Sequence, residues 1–295
     1  MGGHRKEKFL ALAALDYQNK TTDELRVLFR KVLEQGMHGL CFSPYEEGQE
    51  PGDQLSEVAI RRRMEVIKPY TEWIRSFSCT DGNELIPLIA KEYGIKTLVG
   101  AWLGDDPEIN EREVEGLIKL ANEGFVDIAA VGNEVMYRGD LSEEELLGFI
   151  HRVKQAIPQV PVGYVDAYYE FVDRPSIAQI CDVILANCYP FWEGCDMDYS
   201  LLYMKDMYNR AKWAGQGKKV IISETGWPSQ GTSLEGAFPS YENAMKYFMN
   251  TQKWSKEEDI EIFYFSSFDE SWKVGAEGDV GAYWGIWDKD EKLKF

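Results

Sequence analysis

The chain has 295 residues, 44% apolar and 13% aromatic, which suits one large α/β barrel or two smaller domains and suffices for a core without disulfides or metals. Lys and Arg number 32 against 50 Asp and Glu, and the resulting charge of −18 argues against nucleic acid, anionic lipid or a polyanionic substrate as partner. No apolar run approaches the roughly 20 residues of a membrane span.

From the N-terminus, Phe9–Leu15 follows a basic cluster and faintly resembles a signal peptide. It is short, Glu7 sits in its basic part and Asp16 ends it, so it reads as an ordinary N-terminal element. Location stays open: secreted or periplasmic if a leader has been removed, cytoplasmic otherwise. Thr22–Gln35 has helical spacing, with an apolar face of Leu25, Leu28, Phe29, Val32 and Leu33. Next come strand-like runs alternating with helix-like segments. The runs are His38–Ser43, Trp73–Ser78, Lys96–Ala101, Asp127–Gly132, Pro161–Val165, Val183–Asn187, Lys219–Ser223 and Ile262–Ser267. Near-continuous apolar stretches such as Val220-Ile221-Ile222 fit strands buried on both faces, as in parallel sheets. The helix-like segments are Ser56–Pro69, Leu85–Tyr93, Asn110–Asn122, Glu143–Ala156, Asp198–Trp213 and Tyr241–Ser255. Ser142 with Glu145 three residues on has the form of a capping box.

This alternation predicts a closed parallel (β/α)₈ TIM barrel, fold class α/β, as a single domain over residues 1–295. A doubly wound sheet is the alternative, but GxGxxG and GxxxxGK[ST] are both absent, so nucleotide binding has no support. No helical pattern follows the eighth run, where Phe268–Phe295 is rich in Gly and Trp. The extra N-terminal helix, within an extension over residues 1–37, is expected to pack on the outer wall in that gap. The five Cys residues, Cys41, Cys79, Cys181, Cys188 and Cys195, show no CxxC spacing and read as free thiols. The three His residues are too scattered for a His-based metal site, and no cofactor is expected.

In a parallel barrel the active site lies at the C-terminal ends of the strands. The fourth run exits at Gly132-Asn133-Glu134, the seventh at Ser223-Glu224-Thr225 and the eighth at Phe268-Asp269-Glu270. These exits bring carboxylates to one mouth. Paired acids flanking one bond are what glycoside hydrolysis requires, and an amide such as Asn133 beside the acid suits a sugar hydroxyl. Aromatic candidates for sugar stacking are Tyr45, Trp102, Tyr168, Tyr189, Phe191, Trp192, Trp227, Trp272 and Trp284, each of which suits core packing as well. Tyr189, Phe191 and Trp192 stand out because they cluster on one exit loop. The exit segments Pro44–Leu55, Cys188–Asp198, Glu224–Ser240 and Phe268–Tyr283 are long, as functional loops at a barrel mouth tend to be.

Val220-Ile221-Ile222-Ser223-Glu224-Thr225-Gly226-Trp227-Pro228-Ser229 resembles the signature around the nucleophile of glycoside hydrolase family 17, the β-1,3-glucanases and β-1,3-glucanosyltransferases. Val131-Gly132-Asn133-Glu134-Val135 resembles that family's acid/base segment. Partial matches follow at Phe42-Ser43-Pro44-Tyr45, Ile74-Arg75-Ser76-Phe77, Asn187-Cys188-Tyr189-Pro190-Phe191 and Phe268-Asp269-Glu270-Ser271-Trp272-Lys273. The N-terminal helix and the Gly-rich tail resemble bacterial members more than plant ones. The resemblance implies Glu224 as nucleophile, Glu134 as acid/base, and Glu270, Lys273 and Glu277 as supporting residues, with Lys273 a candidate for keeping Glu224 ionised. It implies a monomeric retaining hydrolase of β-1,3-glucan or its oligosaccharides. A glucanosyltransferase using the same intermediate is the nearest rival. A non-catalytic glucan-binding barrel and a metal-dependent hydrolase are less favoured.

Overall fold

The computed structural model describes residues 17–275 and 277–295; the N-terminal apolar stretch Phe9–Leu15 lies outside the described residues. The strands are β1 (Met37–Cys41), β2 (Thr71–Ser76), β3 (Lys96–Ala101), β4 (Ile128–Asn133), β5 (Val162–Ala167), β6 (Val183–Asn187), β7 (Lys219–Thr225) and β8 (Ile262–Tyr264). Each pairs in parallel with the next, and β8 returns to β1 through Gly39↔Phe263 and Leu40↔Tyr264, so the barrel is closed in sequence order. Every residue of β4 and of β6 is buried, because barrel side chains meet either the packed interior or the helical jacket. The expected (β/α)₈ architecture is therefore present.

The helices are α1 (Thr22–Glu34), α2 (Glu57–Ile67), α3 (Leu85–Glu92), α4 (Pro107–Asn122), α5 (Val135–Arg138), α6 (Glu143–Ala156), α7 (Glu170–Asp173), α8 (Pro175–Ile180), α9 (Met197–Gly215) and α10 (Tyr241–Glu258). The reciprocal capping box at Ser142 and Glu145 starts α6 where its sequence indicates. Helix α4 begins three residues before the expected start, since Asp106 accepts hydrogen bonds from the amides of Glu108 and Ile109 and Pro107 is preset for a first helical turn. The strand at the end of the barrel, β8, stops at Tyr264 rather than Ser267. There the backbone leaves the ladder, and the amides of Ser266 and Ser267 donate to the carbonyls of Trp284 and Cys41.

After β8 the chain forms no α-helix among the described residues, only the 3-10 turns Ser271–Val274 and Gly278–Tyr283 and isolated bridges from Trp287 to Phe268 and Leu293. Helix α1 covers the neighbouring wall. Its Leu25, Phe29 and Leu33 are buried, and Leu28 and Val32 pack beside them. The Phe29 ring lies 4.7 Å from that of Phe248 on α10 and 4.8 Å from that of Phe295. The Thr22 hydroxyl donates to Glu242 at 2.7 Å, which ties the start of α1 to the start of α10. All five Cys residues are free, four of them buried. Among the described residues no helix is long and apolar enough to cross a membrane.

Candidate active site

A cleft of about 470 Å³ opens at the C-terminal mouth of the barrel, with Glu134, Glu224 and Glu277 in its wall beside Tyr137, Tyr168, Tyr169, Tyr189, Trp192 and Trp284. Glu134 reaches it through a strained turn. Gly132 has φ +86°, and a Cβ there would come within 2.9 Å of the Val135 side chain. Glu134 itself is left-handed, with φ 53° and ψ 31°, a conformation that costs an L-residue about 1–2 kcal/mol. The turn is held because the Glu134 amide donates to the Val165 carbonyl at 2.8 Å.

Asn187, at the end of β6, fixes the Glu134 carboxyl group. Its Nδ2 donates to Glu134 at 2.8 Å, and its Oδ1 accepts from the Ser223 hydroxyl at 2.8 Å, which sets the orientation of the amide. Burial pushes the Glu134 carboxyl up to about 7, and the charge of Glu224 adds to the shift. The Asn187 bond opposes it only in part, so Glu134 retains a proton near neutral pH.

Glu224, on β7, is 6% exposed and compensated on both oxygens. The Arg75 guanidinium, from β2, forms an ion pair with Oε1. The Tyr189 hydroxyl donates to Oε2 at 2.7 Å. Arg75 also donates to Asn133 Oδ1 at 2.7 Å, so one buried fork joins the exits of β4 and β7. Gly226 lets β7 pass close to the Phe265 carbonyl, in space that any side chain would fill.

A second group lies against this pair. Glu270 is 3% exposed and accepts from the Ser43 hydroxyl, from Trp272 Nε1 at 3.1 Å and from Lys273 Nζ at 2.6 Å. Lys273 sits 4.1 Å from the centre of the Phe265 ring. Burial works against its charge, but Glu270, Glu277 and Glu224 outweigh it and raise its pKa. Burial raises Glu277 to about 7, against the pull of Lys273. Among the described residues no group of three or more His, Cys, Asp and Glu side chains is arranged to hold a metal ion.

The residues singled out from the sequence divide. Glu134, Glu224, Glu277, Tyr168, Tyr189, Trp192 and Trp284 line the cleft, and Asn133, Glu270 and Lys273 stand behind its wall. Tyr189 differs from expectation: its hydroxyl serves Glu224, while its ring packs edge-on against Phe265 and Trp284. Phe191 and Trp227 are 0% and 1% exposed, packed edge to face against each other, so neither offers a ring face to a sugar. Tyr45 is likewise buried, its hydroxyl accepting from Asn83 at 3.2 Å. Lys273 is not the cation paired with Glu224; Arg75 is, while Lys273 binds Glu270. Arg75 and Asn187 stood within the matched segments without an assigned role. A basic residue inside a strand otherwise destined for the barrel interior was the available signal for Arg75.

Comparison with known proteins agrees with this geometry. The family model for the BtgE/BtgC glycoside hydrolase domain matches residues 39–285. A glucan 1,3-beta-glucosidase of Arthroderma benhamiae is 30% identical over 266 residues, covering 83% of this chain and 86% of the relative. One from Saccharomyces cerevisiae is 26% identical over 257 residues, covering 79% and 82%. The crystal structure of a glycoside hydrolase family 17 beta-1,3-glucanosyltransferase from Rhizomucor miehei matches with a TM-score of 0.79 at 29% identity, covering 88% of this chain and 96% of that one. The chain thus belongs to the BtgE/BtgC glycoside hydrolase domain family and is a glycoside hydrolase of family 17, as its strand-end motifs imply.

Proposed function

We propose that residues 1–295 act as a single catalytic unit and a monomer that cleaves β-1,3-glucosidic bonds of laminarin-type glucans or their oligosaccharides with retention and without cofactor. The observation that carries this reading is the unequal treatment of two carboxyl groups in one cleft. Glu224 is held by Arg75 and Tyr189, while Glu134 has no ion pair among the described residues and is raised by burial to about 7. That asymmetry divides the labour of double displacement. Glu224 attacks the anomeric carbon as Glu134 protonates the departing oxygen. This gives the glycosyl–enzyme ester; the incoming nucleophile then bonds to the anomeric carbon as its proton passes to Glu134, now a carboxylate, and the bond to Glu224 breaks. Water gives hydrolysis; a sugar hydroxyl gives transfer. The glucan 1,3-beta-glucosidase and beta-1,3-glucanosyltransferase names of the relatives support both outcomes. Proton NMR of the first-formed product from a laminari-oligosaccharide should show the β anomer; an initial α anomer would rule out the mechanism. Sizing the products from one defined oligosaccharide separates hydrolysis from transfer.

The state of Glu134 also sets a pH dependence. An acid that must be protonated to act loses its function as pH rises through its pKa, so kcat/KM on oligosaccharides should fall above about pH 7. Glu277 titrates in the same range, so Glu277→Gln should keep the alkaline limb if Glu134 is its source. With a dinitrophenyl glycoside, whose leaving group needs little protonation, the limb should flatten. A limb of equal depth on both substrates would contradict the assignment.

A further inference from the structure

Glu134 occupies the N-cap position of α5, yet its side chain makes no capping bond. An acid at that position ordinarily turns an oxygen back to the amides of the second or third helical residue. A carboxyl group engaged in that way is withdrawn from a substrate. Here the Glu134 side chain is directed to Asn187 instead, and another residue takes over the amides. Met136 and Tyr137, second and third in α5, donate to Asp166 Oδ2 at 3.2 and 3.3 Å. Asp166 belongs to β5 and is 0% exposed. Its Oδ1 accepts from the Ala167 amide at 2.8 Å. Tyr164, also on β5, donates its hydroxyl to Asp166 and accepts from the Met136 amide at 2.9 Å. Every bond of this cluster ends on the turn that carries Glu134 or on the strand beside it.

We propose that Asp166 is a positioning residue for Glu134, capping α5 from the neighbouring strand so that the carboxyl group of Glu134 is free to face the cleft. The inference rests on the reading of Glu134 as acid/base. A left-handed residue persists only where its surroundings over-determine it. Without Asp166 the amides of Met136 and Tyr137 lose the acceptor that the fully buried β5 side chain supplies. The Glu134 carboxyl group, at the N-cap position, is then drawn back onto its own helix. The Asp166-less enzyme then resembles one that has lost its acid while keeping Glu224, Arg75 and the cleft.

The test is a series of aryl β-laminaribiosides with leaving groups of graded acidity, assayed by kcat/KM, which reports the glycosylation step. Misplacing a catalytic group by about 1 Å costs on the order of 100-fold. Asp166→Ala should therefore lose about 10- to 100-fold on a phenyl leaving group and under about 3-fold on dinitrophenyl. Asp166→Asn keeps an acceptor for both amides and should recover most of the loss. Tyr164→Phe removes one acceptor of Met136 and should show a weaker version of the same slope, which keeps the test intact if Asp166→Ala does not fold. Losses uniform across the series, or no loss, would overturn the proposal. Glu134→Ala is run alongside. If its own series is flat, the acid/base reading fails; if it is steep while Asp166→Ala and Tyr164→Phe parallel the unmodified enzyme, only the positioning role fails.

Discussion

Replacing Glu224 by Ala is expected to abolish turnover of β-1,3-glucan oligosaccharides, with a loss on the order of 10⁵-fold, as when a nucleophile acting in concert with its partners is removed. No carboxylate remains to form the glycosyl ester, and none of the described neighbours replaces it: Arg75 and Tyr189 are donors aimed at the missing group. Replacing Glu134 by Ala should fail in a different way. A general acid contributes about 10²–10⁴-fold, and that factor applies where the leaving oxygen needs a proton. On laminari-oligosaccharides the loss should approach the upper end of that range. On a dinitrophenyl glycoside the burst of released phenol should survive, followed by slow deglycosylation for want of a base. Azide should then speed turnover of Glu134→Ala, because a small anionic nucleophile needs no base. It should do so by giving the β-glycosyl azide, since attack on the covalent ester from the open face restores the starting configuration. The same anion placed in the space of Glu224→Ala would attack from the nucleophile's side and give the α-azide. Pre-steady-state phenol release and the configuration of the azide adduct check both statements. Equal defects on natural and activated substrates in the two variants would overturn the division of roles.

Much of the barrel was legible because local and global signals coincide. β3 and β6 occupy their expected ranges, since a continuous apolar run bounded by Lys96 or Asn187 has few other places in a parallel barrel. Helix α6 is equally clear because its capping box is written in adjacent residues. The short helices α7 and α8 were invisible: four and six residues hold too little periodicity to separate a helix from a loop. In the site, the acids could be found by their position at strand ends, as the barrel rule requires. Their partners could not. Arg75 comes from β2, Asn187 from β6 and Tyr189 from the loop beyond it, so what these residues do depends on distances across the barrel that strand patterning does not carry. The aromatic residues were legible only in part, for a related reason. A ring on an exit loop reads the same whether it faces the cleft, as Trp192 does, or turns under it, as Phe191 and Trp227 do. Phe191 is held inward by edge contacts to Trp227 and Trp284, and Trp227 further by an indole bond to the Phe238 carbonyl at 3.0 Å.

Arg75 is where fold and chemistry depend on one side chain, and its replacement should separate the two. The guanidinium is 2% exposed, rests 4.4 Å from the centre of the Phe77 ring, and spans Glu224 and Asn133. Burial works against its charge, and the nearby Glu224 carboxylate more than offsets that, leaving its pKa raised. Arg75→Met leaves Glu224 buried without its cation, the situation in which breaking an ion pair costs about 3–5 kcal/mol. For a chain of this size that corresponds to a fall in Tm of about 6–20 °C. Activity should fall further than stability alone implies, because Glu224 loses the guanidinium that fixes Oε1 and ties its carboxylate to Asn133. Arg75→Lys keeps a charge but not the planar fork, so it should recover part of the stability while Asn133 or Glu224 loses its partner. The decisive comparison is with Arg75→Met/Glu224→Gln. If the cost of Arg75→Met is the stranded carboxylate, neutralising Glu224 in the same chain should restore stability, making the double variant more stable than Arg75→Met although it carries two changes. A thermodynamic cycle measured by denaturant unfolding gives that coupling directly. Additive losses would mean that Arg75 stabilises the barrel through its packing on Phe77, and that the charge of Glu224 is maintained by some other group.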